Sequence, residues 1–451
     1  LPNLPPLNTC VRVVVSHTDT DARFLLRFAR PLPSFPSPTS LLRLMHPVHI
    51  MPKPAGSTCN LNCAYCYYLE KQKLYAQSPK QEMSDETLER YIHDYIAIQP
   101  GDDVLFTWHG GEPLVRSRAF YEKALVLQQK HAAGKHIDNA LQTNGTLLTD
   151  DWCRFLAEHH FLVGISIDGT EEMHDRYRLS RSGRGTWRQV MHGVELLARH
   201  GVEWNAMAVV NDFNVRQPLE FYRFFKRIGC DFLQFTPIVE RFYRHADGRL
   251  LASPIEGLTT AEMAPFSVGP EAWGEFLCAL FDEWVRRDVG TFFVQLFDAT
   301  LAGWMGVPGS LCTMAETCGH ATAMEHNGDI YACDHYVFPE FKLGNLHEKS
   351  LAEMVYSPEQ RQFGENKRKA LTPQCKTCEW RFACNGDCPR TRFITDATGH
   401  PGHPYLCAGW KRYFEHVAPY MDFMKRQLMV NLPPTAVMKA VDRIEEERGR
   451  G

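Results

Sequence analysis

Fifteen cysteines in 451 residues, most of them gathered into groups, constrain this chain more than any other feature. The count is odd and the spacing clustered, so a disulfide framework fits poorly and metal ligation becomes the leading explanation. Cys59, Cys63 and Cys66 form a C-x3-C-x2-C run. No nearby cysteine or histidine supplies the fourth ligand that structural zinc normally takes. Three thiolates suit a 4Fe-4S cube with one iron left open, whereas the competing reading is a zinc site closed by a distant residue.

From residue 48 onward short apolar runs alternate with amphipathic stretches, the pattern of βα units around a parallel sheet. The strand candidates are 48–51, 104–108, 138–142, 162–167, 203–210 and 232–236. After Ser84 the spacing predicts a helix with Leu88, Tyr91, Ile92, Tyr95 and Ile96 on one face and Asp85 and Glu86 in its first turn, where the helix dipole favours anions. Six such units fit a partial or full barrel, with an open doubly wound sheet as the alternative; in both, ligands gather at the C-terminal ends of the strands. The cysteine run directly follows the first strand and so belongs at that mouth.

The chain divides into an N-terminal extension at 1–44, disordered or a miscalled start, a barrel at 45–240, a bridging segment at 241–300, a Cys-rich domain at 301–425 and a frayed or disordered tail at 426–451. The Cys-rich domain shows little helical periodicity, as expected where metal ligation replaces a large core. Lys and Arg number 49 against 53 Asp and Glu, a net charge of −4. That balance gives no electrostatic case for wrapping nucleic acid. No uncharged apolar run approaches the ~18 residues a membrane span needs, and the first residues lack an export signal. The expectation is a cytoplasmic protein with neither nucleic acid nor membrane as partner.

The cysteine run resembles that of the radical S-adenosylmethionine (SAM) superfamily, and further matches fall at later strand ends. They are HGGEP at 109–113 after the second strand, and SIDG from Ser166 with Arg178 downstream. The resemblance implies that Cys59, Cys63 and Cys66 hold the SAM-cleaving cluster. It implies that Gly110, Gly111 and Glu112 receive the SAM ammonium, that Ser166 and Arg178 contact ribose and methionyl carboxylate, and that Tyr65 and Val239 border the adenosine.

Eight further cysteines follow as Cys312-x5-Cys318-x9-Gly328-x4-Cys333 and Cys375-x2-Cys378-x5-Cys384-x3-Cys388-x18-Cys407. Spacing alone allows two zinc ribbons or two iron-sulfur sites. The gaps resemble the SPASM domain of peptide-modifying radical enzymes, which implies one auxiliary cluster on Cys312, Cys318, Cys333 and Cys388 and another on Cys375, Cys378, Cys384 and Cys407. The implied fold is α/β, a partial (β/α)6 barrel of TIM type followed by a Cys-rich iron-sulfur SPASM domain. It carries three 4Fe-4S clusters and SAM. Cys10, Cys153, Cys230 and Cys278 are left without a metal role.

HGGEP together with LQTNGT at 141–146, VGISIDG at 163–169, FLQF at 232–235 and YACDHY at 331–336 is similar to the anaerobic sulfatase-maturating enzymes. These oxidise a cysteine or serine of a sulfatase to Cα-formylglycine. The resemblance implies Asp334 as the base that takes the substrate's proton. It implies an unfolded Cys/Ser-x-Pro-x-Arg segment as substrate, touching Tyr68 and His109, and an electron donor such as flavodoxin or ferredoxin. The competing functions are another SPASM enzyme that cross-links or epimerises a ribosomal peptide, and a zinc-ribbon binding module without chemistry.

Overall fold

The computed structural model describes residues 47–75, 81–244, 250–252, 261–309 and 311–449, so the extension read at 1–44 lies outside the described residues. The six expected strands form as β1 (His49–Pro52), β2 (Asp103–Trp108), β3 (His136–Thr143), β4 (Leu162–Ser166), β5 (Trp204–Val210) and β6 (Phe232–Pro237). Strands β2 to β6 are hydrogen-bonded in sequence order, all parallel. All five residues of β4 are buried, as a parallel strand covered on both faces requires. Each crossover is a helix with its apolar stripe on the sheet. The helix Asp85–Ile98 is capped by Ser84, whose side chain accepts from Thr87 N at 3.1 Å, and it buries the five residues expected of it.

Two features depart from a simple six-strand barrel. Strand β1 lies outside that sheet's ladder and pairs in parallel with a strand of the Cys-rich domain. The bridging segment supplies the sheet's sixth strand. That segment forms a small antiparallel sheet of β7 (Arg241–Arg244), β8 (Leu250–Ala252) and β9 (Ala261–Met263), then the helix Pro270–Arg287, then β10 (Phe293–Val294), which extends the parallel sheet beside β6. Two residues are too short to carry a readable alternation, which is why β10 leaves no trace in the sequence pattern.

Strands β11 (Ala321–Met324), β12 (Asp329–Tyr331) and β13 (Lys342–Asn345) form the Cys-rich domain's sheet, and β1 closes its edge with His49 opposite Ala321 and Pro52 opposite Met324. The seam between the two halves is therefore a backbone ladder. The Cys-rich region also holds a helix, Pro358–Lys369, that periodicity does not reveal. Its buried face is Gln360, Gly364 and Lys367, a stripe with no apolar residue.

The reading of 426–451 as frayed or disordered is corrected over the described residues, 426–449. Helix Cys407–Met429 runs into a turn, Pro434–Lys439, and a last helix, Val441–Gly449, with Val437, Ala440, Val441 and Ile444 buried in the main core. Those four stand at i, i+3, i+4 and i+7, a short apolar stripe easily passed over between Pro433-Pro434 and the run Glu445-Glu446-Glu447, and it packs on the core. Helix Cys407–Met429 crosses Pro270–Arg287 at close range: a Cβ on Gly274 would lie 2.9 Å from the Gly409 Cα, and the Trp273 and Trp410 rings are 5.5 Å apart. That crossing anchors Cys407 against the barrel side.

Candidate active site

The loop carrying the first cysteines is fixed by its neighbours' backbones. Gly111 N and Glu112 N donate to Gly56 O and Thr58 O at 2.9 and 2.8 Å, while Asn62 N and Ala64 N donate to Leu179 O and Tyr177 O, both at 2.8 Å. The approach on the HGGEP side leaves no room for side chains. Gly110 has φ +140°, and a Cβ on Gly111 would stand 2.2 Å from Thr58 O. Gly111→Ala is therefore expected to displace the loop and lower iron at this site, measured as iron per chain after anaerobic reconstitution, with the Cys-rich domain's iron retained.

Burial governs the thiols of this loop. Burial pushes Cys59 up to about 11 and Cys63 up to about 12, with Arg178 partly offsetting the effect at Cys63. Cys59 Sγ accepts from Leu61 N at 3.4 Å and from the Asn144 amide at 3.8 Å. A thiolate here needs a strong positive partner, which an iron centre is.

Glu112 is fully buried and its carboxyl is pushed up to about 7 by burial. It accepts from Leu114 N at 2.9 Å, Thr143 Oγ1 at 2.7 Å and Asn144 N at 2.8 Å, which fastens the β2 and β3 ends together. Two carboxylate oxygens have about four acceptor directions, so capacity remains for one ammonium hydrogen. Ser166 ends β4 and is buried. Arg178 pairs with buried Asp168, Nε to Oδ2 at 3.1 Å, and lies 5.5 Å over the Tyr65 ring. The Tyr65 hydroxyl donates to Asp168, and its ring packs on Tyr177 and Phe266 at 6.0 and 6.2 Å. Val239 is buried in the main core at the end of β6. Asp168 and Phe266 were missed in the sequence; Asp168 sat in the quoted VGISIDG run, a carboxylate just past a strand end.

The remaining cysteines fall into two neighbourhoods. Cys375, Cys378, Cys384 and Cys407 line one pocket with His403 and Trp410. Cys312 lies near enough to Cys333 and Cys388, and Cys388 to Cys318, for each to oppose ionisation of the other's thiol. Among the described residues no three ligand-type side chains converge on one point as around a single ion. Sets of four thiols suit an iron-sulfur group. Cys153, Cys230 and Cys278 are buried among apolar residues, as filler cysteines are.

Asp334 follows Cys333 on a short turn of the Cys-rich domain and is brought to the barrel mouth. Its Oδ1 lies 2.5 Å from Lys53 Nζ and its Oδ2 accepts from the Tyr67 hydroxyl at 2.6 Å. Burial pushes its carboxyl up, but the Lys53 ammonium overrides that and holds it well below the usual carboxylate range. Burial, and then Lys53, press His109 down to about 3; its Nδ1 accepts from Gly110 N and Lys53 Nζ, each at 2.8 Å. Tyr68 is buried and donates to Glu325. Lys53 and Tyr67 were also missed; the one available signal was a lysine ending an apolar strand at the mouth.

A parallel α/β sheet with a three-thiol loop at its mouth, joined by a ladder to a thiol-rich second domain, defines a radical SAM enzyme with auxiliary iron-sulfur sites. Residues 54–225 match the family model of the radical SAM superfamily, and 316–379 that of the SPASM iron-sulfur cluster-binding domain. A serine-type anaerobic sulfatase-maturating enzyme of Bacteroides thetaiotaomicron is 58% identical over 395 residues, 88% of this chain and 95% of that protein. A cysteine-type enzyme of Clostridium perfringens is 31% identical over 83% of this chain and 97% of its own length. The solved structure of native anSMEcpe with bound AdoMet and Cp18Cys peptide superposes with a TM-score of 0.73 at 30% identity, over 84% of this chain and 99% of that one. Streptococcus suis SuiB bound to precursor peptide SuiA shares the fold, with a TM-score of 0.54 at 17% identity over 80% of this chain and 75% of that one. The chain belongs to the family of anaerobic sulfatase-maturating enzymes.

Proposed function

We infer that the chain oxidises a serine side chain, or a cysteine in its place, to Cα-formylglycine in an unfolded sulfatase segment, and that Asp334 takes the substrate's hydroxyl or thiol proton. The observation that carries this reading is a buried, ionised carboxylate from the second domain held at the mouth of the first. When bound, SAM and the clusters supply the one-electron chemistry, a 5′-deoxyadenosyl radical that removes one Cβ hydrogen atom and an acceptor for the remaining electron. Cys59, Cys63 and Cys66 would hold the cluster that meets SAM. The two later cysteine sets would hold the auxiliary clusters.

The residues account for the rest. Removing a hydrogen atom from Cβ makes the neighbouring O–H or S–H far more acidic, so a carboxylate kept ionised by Lys53 is base enough to receive that proton. His109 and Tyr68, at the same mouth, would contact the substrate, and the packed ring of Tyr65 would border the adenosine. Glu112, Ser166 and Arg178 would orient SAM, with Asp168 fixing Arg178. The serine-type relative at 58% identity supports serine as the preferred residue. A low-potential carrier such as flavodoxin or ferredoxin, in the cytoplasm, would deliver the electrons. Among the described residues no helix is long and apolar enough to cross a membrane.

The test is anaerobic incubation with SAM, a reductant and synthetic Ser-x-Pro-x-Arg and Cys-x-Pro-x-Arg peptides. The serine peptide should lose two hydrogens and react with a hydrazide. The cysteine peptide should reach the same aldehyde by releasing its sulfur as hydrogen sulfide. A thioether or an epimer formed with deoxyadenosine, and no trapped aldehyde, would replace this reading with another SPASM peptide modification.

A further inference from the structure

Lys53 is the residue on which the two domains meet. It follows β1 directly and is fully buried. Its own N–H donates to Met324 O of β11 at 2.8 Å, and the preceding Pro52 O accepts from His109 N at 3.1 Å, so its backbone is tied to both domains. A buried ammonium is tolerated only where its three hydrogens find partners. Here Nζ meets Asp334 Oδ1 at 2.5 Å and His109 Nδ1 at 2.8 Å, and stands 4.9 Å over the Tyr68 ring.

Asp334 rides on a three-residue turn of the second domain, and both of its oxygens are held by side chains of the first. Tyr67 holds Oδ2, and its ring lies under the Arg390 guanidinium at 5.3 Å; Arg390 is itself paired to Glu240 at 2.7 Å. Lys53 meets Oδ1 as a buried ion pair, ammonium against carboxylate.

We propose that Lys53 is a positioning residue for the oxidation, seating the Asp334 carboxylate over the barrel mouth where the substrate's hydroxyl or thiol must meet it. This rests on the formylglycine reading above. Hydrogen-atom abstraction needs no base, whereas proton transfer needs one within hydrogen-bond reach, and an error of about 1 Å in such placement can cost on the order of 10²-fold. Lys53 therefore governs how many radicals end as aldehyde, and leaves the number generated unchanged.

The experiment measures aldehyde and deoxyadenosine together, with iron per chain, in the parent, Lys53→Met, Lys53→Gln and Lys53→Arg. The parent is the control for the reading itself: no aldehyde there refutes formylglycine formation and says nothing against Lys53. With aldehyde formed by the parent, both neutral variants should keep parental iron and deoxyadenosine while aldehyde per deoxyadenosine falls at least tenfold. Lys53→Arg should recover most of that ratio. In the Asp334→Asn background Lys53→Met should lower the residual ratio by less than twofold, since the two act through one contact. Iron, deoxyadenosine and aldehyde falling in parallel in the Lys53 variants, an unchanged ratio in Lys53→Met, or a full second loss on top of Asp334→Asn would each overturn the proposal.

Discussion

Asp334→Asn is expected to cut formylglycine formation by on the order of 10² to 10⁴, the usual worth of a positioned acid or base, while SAM is still cleaved to deoxyadenosine. The substitution keeps the side chain's shape and leaves Tyr67 and Lys53 beside it, but an amide cannot hold a proton from the substrate. The substrate then loses its hydrogen atom without losing its proton, and the abstraction leads nowhere. Deoxyadenosine quantified beside trapped aldehyde separates the two halves of the reaction. Aldehyde at the parental rate would show that another group takes the proton, with His109 next in line by its place in the same cluster.

Replacing Cys63 by alanine should abolish deoxyadenosine formation altogether. The three thiols of the first loop have no substitute: among the described residues the other cysteines are either buried in the apolar core or gathered in the second domain. The protein should remain folded, because that loop is fastened by backbone hydrogen bonds to residues 111–112 and 177–179 that the substitution does not touch. Iron should fall from roughly twelve to roughly eight per chain, one cube of three. Retained SAM cleavage in the variant would break the assignment of this loop. A fall of all three clusters together would mean that the loop is a folding nucleus as well as a site.

Much of the barrel was legible because its signals are local. The stripe from Leu88 to Ile96 with Ser84 ahead of it, and the buried run of β4, are written in adjacent residues and in periods of 3.6 and 2. The cysteine groups are legible for the same reason, since ligand spacing is a property of a loop. The polar helix Pro358–Lys369 and the two-residue β10 were not, because neither carries a hydrophobic period of its own.

By itself the sequence determined what kinds of atoms the protein can offer: eleven thiols in metal-ligand spacing, two glycines where a loop must pass close, and a carboxylate one residue beyond a cysteine. Only the tertiary structure decided that β1 leaves the parallel sheet to pair with β11, and so that Lys53 and Asp334, 281 positions apart in the chain, come within 2.5 Å. The physical reason is that backbone ladders and buried charge pairs form between any elements that meet with matching donors and acceptors, and carry no periodic trace along the chain.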